Sequence, residues 1–271
     1  MTGLDGEGFA THAVRLGEVR LAAWSLGPAD GPVLLVCHGG ALDHASFRPF
    51  ARAWAERYRV ILWDLPGHGQ SEGLREPFTA AACARALGAV MDALEARDAV
   101  TLGFSFGGVV AQMAARARPE LVRRFIAYGC LSPHLGAPII PPALAPALVK
   151  SLFGLRSWAA IRQRFGALCC VTEDGRRRVE QDMAPVGKAG FLAMARANLT
   201  ASDRGGDFRI PGGVDLLAGA LDSNAEAIRR TFRAFEAAYP AARRIMIDGA
   251  GHCAHLDRPD AFADAMSRLL D

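Results

Sequence analysis

The 271-residue chain lacks the features that would place it in a membrane, in an oxidising compartment or on nucleic acid. No apolar run approaches the roughly 20 residues that a bilayer-spanning helix needs. The first residues, Met1-Thr2-Gly3-Leu4-Asp5-Gly6-Glu7-Gly8, carry neither a basic nor an apolar stretch. They do not read as a secretory leader, and a cytoplasmic location is expected. The six cysteines (Cys37, Cys83, Cys130, Cys169, Cys170, Cys253) form no C-x-x-C pair, and most lie in apolar segments. That argues for reduced, buried thiols and against a disulfide frame or zinc site. Lysine is almost absent (Lys150 and Lys188), and the net charge of +3 is too small to imply a nucleic-acid partner. The one cationic run, Arg176-Arg177-Arg178, is interleaved with Glu173, Asp174 and Glu180 and reads as a solvated helix face. There is no repeat and no low-complexity tract. The expected partner is a small-molecule substrate, with no metal, organic cofactor, nucleic acid or membrane, and the expected assembly is a monomer or weak homodimer.

What is present is an alternation of short apolar runs and amphipathic stretches, which indicates βα units and a mostly parallel sheet. Strands are expected at Val19–Trp24, Val33–Cys37, Val60–Trp63, Ala99–Leu102, Arg124–Tyr128, Val214–Leu217 and Arg244–Ile247. Helices are expected over Phe47–Tyr58, from a Thr79 cap to about Arg97, after the turn at Ser105, over Asn224–Tyr239 and over Pro259–Leu270. From about Ser132 to Arg204 the alternation stops. Prolines (Pro133, Pro138, Pro141, Pro142, Pro146, Pro185) punctuate helical stretches, and no strand is evident. The expected organisation is one α/β core, residues 1–131 and 205–271, interrupted by a helical cap over 132–204 that can cover the site. The cap holds ten Lys/Arg and five Asp/Glu, a net +5 against −2 for the remainder. This reads as a solvated outer surface; the sharper alternative is a mouth that favours anionic substrates.

Gly103-Phe104-Ser105-Phe106-Gly107 carries the chemistry. An apolar strand precedes it and a helix follows, so Ser105 stands on the strand-to-helix turn of a nucleophile elbow. Glycines two residues to either side relieve crowding, and the helix N-terminus places a positive dipole near a developing negative charge. A serine hydroxyl needs a base, and the base needs an orienting group. Val214–Leu217 leads into Asp222 and Arg244–Ile247 leads into His252. In a parallel sheet such C-terminal edges face one way, so Ser105, Asp222 and His252 can converge in the order Ser…Asp…His. Asp215 would point into the sheet, Asp248 is too close to the base, and Gly129-Cys130-Leu131 offers no carboxylate.

With His38-Gly39-Gly40, Asp64-Leu65-Pro66-Gly67-His68-Gly69-Gln70-Ser71, the Ser105 elbow, Gly219-Ala220-Leu221-Asp222, and Gly251-His252 followed by Asp257-Arg258-Pro259, the chain resembles the α/β-hydrolase superfamily over nearly its whole length except the cap. The resemblance implies an α/β fold with an eight-stranded sheet whose second strand is antiparallel, and Ser105, Asp222 and His252 as nucleophile, acid and base. It places one oxyanion donor at the Gly40 N–H; the other is the Phe106 N–H directly after the nucleophile. Gly39, His44 and Phe104 are candidate substrate contacts. Phe104 and Phe106 depart from the residues common among relatives and are expected to shape the pocket floor. No Pro-Gly follows Gly39-Gly40 as in proline iminopeptidases, and the longer glycine run of hormone-sensitive-lipase-like esterases is missing. A serine nucleophile also disfavours epoxide hydrolases and haloalkane dehalogenases.

His38, His68 and His255 read as structural. Phe153, Trp158, Phe165, Phe191 and Met194 read as the interior of the cap. The expected activity is hydrolysis of a small-to-medium carboxylic ester, thioester or lactone through an acyl-enzyme. The alternatives are a C–C bond hydrolase using the same triad and a non-catalytic ligand-binding member of the fold.

Overall fold

Segments rich in Val, Leu, Ile and Ala with no polar face can be strands only if both their faces are covered. The computed structural model, which describes residues 3–135, 141, 143–203 and 208–271, covers them with helices on a nine-stranded sheet. The strands are β1 (Gly3–Leu4), β2 (Ala10–Leu16), β3 (Val19–Leu26), β4 (Val33–Cys37), β5 (Arg59–Trp63), β6 (Ala99–Phe104), β7 (Val122–Tyr128), β8 (Val214–Gly219) and β9 (Arg244–Ile247). Their order across the sheet is β1-β2-β3-β5-β4-β6-β7-β8-β9. Every residue of β6 and of β8 is buried. From β5 to β9 all neighbours are parallel, whereas β3 runs antiparallel to both β2 and β5.

The implied eight strands correspond to β2–β9 with β3 antiparallel, and β1 adds a two-residue edge pair that raises the count to nine. β2 escapes a sequence reading because Val14 is its single buried residue, so no clean alternation marks it.

The helices are α1 (Arg48–Trp54), α2 (Ala80–Ala93), α3 (Ser105–Ala117), α4 (Ala145–Phe153), α5 (Trp158–Cys169), α6 (Glu173–Met183), α7 (Gly187–Thr200), α8 (Ala225–Ala238), α9 (Ala254–Asp257) and α10 (Pro259–Leu270). Thr79 caps α2 by accepting the Ala82 N–H, as expected. That helix stops earlier than expected because Glu95 and Asp98 adopt positive φ (51° and 53°), turning the chain into β6. α1 likewise ends at Trp54 rather than Tyr58; the Arg57 and Tyr58 N–H groups both bond back to Trp54 O in a closing turn.

Between β7 and β8 the described residues contain α4–α7 and no strand. Pro138, Pro142, Arg204 and the expected boundary at 204/205 lie outside the described residues. Phe191 of α7 gathers Phe153, Trp158 and Phe165 at ring separations of 5.2, 5.8 and 5.3 Å, a local apolar centre for these helices. Arg177 pairs with Glu173 and Asp174 on the exposed face of α6, where such pairs contribute little to stability. Among the described residues no helix is long and apolar enough to cross a membrane.

In this layout β4, β6, β8 and β9 all end on the same side. Cys37 pairs with Gly103, and Gly219 pairs with Ile247. The loops that follow these strands therefore open onto one edge.

Candidate active site

Ser105 is the first residue of α3 and has φ of +50°, one of four described non-glycine residues with positive φ. That conformation costs an L-residue about 1–2 kcal/mol and is held by the packing around it. The turn is tight because an added Cβ on Gly107 would strike the backbone carbonyls of His38 and Cys37, the latter at 2.6 Å. Backbone cannot swing away as a side chain can, so α3 is able to start beneath β4 only with glycine there.

His252 lies in the loop after β9, and its ring is almost fully buried. Its Nε2 is 2.9 Å from Ser105 Oγ, and its Nδ1 is 2.6 Å from Asp222 Oδ2. The other carboxylate oxygen, Oδ1, accepts the Asn224 N–H at 2.8 Å. An ionised carboxylate only accepts, so Nδ1 carries the proton and Nε2 of the neutral ring faces the serine hydroxyl as acceptor. Burial opposes ionisation of Asp222, but the His252 charge and the bonds from His252 and Asn224 hold its pKa below the usual 3.8. Burial also opposes charge on His252; the Asp222 charge and hydrogen bond outweigh it, Cys169 adds in the same sense, and the imidazole is raised to about 9.

Beneath the imidazole is an aromatic shelf. Phe104, 1% exposed, has its ring 4.9 Å from that of His252 and 4.4 Å from that of Tyr128. His255 closes the shelf from α9; its Nδ1 is 3.0 Å from Tyr128 Oη, and its ring is 4.3 Å from that of Phe47. Burial drives His255 down to about 3, so it is a neutral packing group. Phe104 is thus engaged with the histidine from below.

The loop after β4 approaches the serine from the other side. A Cβ on Gly39 would come within 3.3 Å of Ser105 Cβ and 2.8 Å of the Phe104 ring, so only glycine fits there. His38 shapes this loop: its Nδ1 is 2.8 Å from Gly39 O, and its Nε2 accepts the Leu65 N–H at 2.9 Å. His68 bonds Pro66 O within its own turn at 3.0 Å, and burial lowers it to about 4. His44 is held inside the protein: it stacks on Trp24 at 3.4 Å, and its Nδ1 and backbone N–H reach Asp64 Oδ1 at 3.0 and 2.8 Å. Asp64, fully buried at the end of β5, also accepts the Gln70 N–H at 2.7 Å. Asp64 enters the sequence analysis only as the first residue of the Asp64–Ser71 motif; its work as the brace between two loops rests on contacts distant in sequence. Among the described residues no group of three or more His, Cys, Asp or Glu is placed to hold a metal ion.

Phe106 follows Ser105 in the first turn of α3, where backbone N–H groups have no intrahelical acceptor. Gly40 is overlain by the α4–α7 segment. An added Cβ there would run into Met194 of α7, with its Cγ at 2.9 Å. Met194 is buried, as expected, and its side chain reaches the loop beside the serine. Gly40→Ala is expected to lower stability by about 1–3 kcal/mol through overpacking. The same substitution should cost less in a Met194→Ala background than in the parent, as read from urea unfolding midpoints around the double-variant cycle. Strictly additive costs would contradict this contact.

The sequence pattern of the Alpha/beta hydrolase family matches residues 33–265. The magnesium-chelatase 30 kDa subunit of Rhodobacter capsulatus is 36% identical over 155 residues, 56% of this chain and 53% of that protein. The match therefore spans about half the length of that relative. The pimeloyl-acyl-carrier-protein methyl ester esterase of Xanthomonas campestris is 28% identical over 257 residues, 89% of this chain and 95% of that enzyme. Among solved structures, a thermophilic esterase from Thermogutta terrifontis superimposes with a TM-score of 0.78 at 21% identity, covering 97% of each chain.

Proposed function

This chain belongs to the alpha/beta hydrolase family, and we propose that it is a hydrolase that cleaves a small-to-medium carboxylic ester, thioester or lactone through an acyl-enzyme on Ser105. The observation that carries this reading is the unbroken chain Asp222 Oδ2–His252 Nδ1, His252 Nε2–Ser105 Oγ at 2.6 and 2.9 Å. Ser105 Oγ attacks the carbonyl carbon while His252 Nε2 takes its proton, and Asp222 holds the tautomer and balances the imidazolium. The carbonyl oxygen becomes an oxyanion, stabilised by the Phe106 and Gly40 N–H groups. Collapse expels the alcohol, thiol or tethered hydroxyl with the proton from His252. A water then gives a proton to His252 and attacks the acyl carbon, and collapse releases the acid as His252 returns that proton to Ser105 Oγ.

The α4–α7 segment acts in this reading as the cap, supported by Met194 lying against Gly40. Phe104 supports His252, and His44 braces the loop that carries the Gly40 donor. The Xanthomonas relative, named for a methyl ester, favours an ester over a carbon–carbon bond as the scissile group.

Product analysis on a panel of esters, thioesters and lactones tests the proposal. It requires an acid with an alcohol, a thiol or a ring-opened hydroxy acid. Turnover restricted to vinylogous diketones, with a new ketone or dienol as co-product, would contradict it.

Only the neutral imidazole can accept the serine proton, and Asp222 raises the pKa at which that form appears. The acid limb of the kcat/KM profile should therefore lie above the 6.5 of an ordinary histidine and toward 9, with activity lost as pH falls through it. A midpoint at or below 6.5 in a pH–rate profile would contradict this coupling.

A further inference from the structure

Asp257 lies at the end of α9, shortly after His252, and its carboxylate is buried. Oδ2 accepts the Gly251 N–H at 2.8 Å. Oδ1 accepts the Thr172 N–H at 2.9 Å and the Thr172 hydroxyl at 2.8 Å. The Val171 N–H is shared between the two oxygens at 3.1 and 3.0 Å. On the other side of the histidine, the Cys253 N–H donates to Cys169 O at 2.9 Å. The backbone before and after His252 is thus tied to residues 169–172, the corner between α5 and α6. Arg176 stiffens that corner, donating from Nε to Cys170 O at 2.9 Å and from Nη2 to Val171 O at 3.2 Å. There is no slack: a Cβ on Gly251 would meet Cys169 O at 2.9 Å and Asp257 Oδ2 at 3.1 Å.

We propose that Asp257 is a positioning residue that clasps the α5–α6 corner to the Gly251-His252 turn and so keeps the imidazole on the line between Asp222 and Ser105. The proposal rests on the reading of His252 as the base. The sheet fixes only where β9 ends. The five residues from Asp248 to His252 form an irregular loop, and the clasp removes its freedom. A displacement of about 1 Å at a catalytic group costs on the order of 10²-fold in rate. Asp257→Asn keeps the shape but puts an amide donor where an acceptor faced N–H groups, so part of the clasp is lost.

The test uses the whole protein, with active sites titrated by a fluorophosphonate. Asp257→Asn should lower kcat per titrated site by about 10- to 100-fold and leave KM within about twofold. The acid limb should also move toward 6.5, because a loosened ring loses part of its Asp222 contact and Cys169, in the loosened corner, loses its smaller contribution in the same sense, while His255 stays in place. Thr172→Val approaches the same clasp from the helical side and should shift kcat and the acid limb in the same directions, with Thr172→Ser restoring both. That pair decides the matter should Asp257→Asn fail to fold. An unchanged kcat per titrated site, or a fall in kcat with an unmoved acid limb, would overturn the clasp. Failure of the parent protein to react with the probe would instead overturn the reading of the site itself.

Discussion

Ser105→Ala is expected to lower kcat/KM by about 10⁴-fold or more on any ester the parent protein turns over. Alanine removes the oxygen that lies 2.9 Å from His252 Nε2, and nothing else in the turn can replace it as a nucleophile. The fold should survive, because the serine side chain contributes little packing and its backbone at φ of +50° is held by its neighbours. A second replacement isolates the cause. If Ser105 and His252 act as one unit, Ser105→Ala/His252→Ala should be no slower than Ser105→Ala alone. A further tenfold fall in the double variant would mean that His252 works by a route independent of the serine. Steady-state kinetics on the two variants, with thermal unfolding to verify the fold, makes the comparison.

Asp222→Asn carries the next largest effect, a fall in kcat of about 10⁴-fold. Asparagine can still accept the Asn224 N–H that Asp222 Oδ1 accepts at 2.8 Å, so the loop after β8 should keep its shape. What changes is the face toward His252. The amide N–H₂ donates to Nδ1 and pushes the ring proton to Nε2, where it opposes the serine hydroxyl instead of accepting from it. The charge that raises the imidazole is lost as well, so any residual activity should show its acid limb moved down from the parent position. Residual activity above a tenth of the parent's would show that Asp222 does not orient the base.

The parts of the site that could be read from sequence are those carried by a strand and the few residues after it. Ser105 follows β6, Asp222 follows β8 and His252 follows β9, and each strand is apolar enough to be recognised in isolation. Parallel pairing then brings their ends to one edge, and no long-range contact had to be guessed. Gly39 and Gly40 stand in the loop after β4, and the Gly40 N–H is assigned as a donor through the family resemblance. The supporting residues were not legible. Asp257 meets Val171 and Thr172 across 86 and 85 residues of chain, and Asp64 meets His44 across 20. No periodicity encodes such bonds. Met194 carries the apolar signature of a helix interior, and burial on one helix looks in sequence like burial against a loop of the sheet. Phe104 was expected to shape a pocket floor, and its ring lies under the imidazole because position 104 is the last residue of a strand buried on both faces. The two strands that no sequence segment marks were hidden by the single buried residue of β2 and by the brevity of β1.

The most direct measurement is the intact mass of the purified protein and of Ser105→Ala after reaction with a fluorophosphonate. The account predicts a single adduct on the parent protein and none on the variant, because only a hydroxyl activated by His252 attacks the phosphorus at a useful rate. No adduct on the folded parent, or an equal adduct on both, would contradict it.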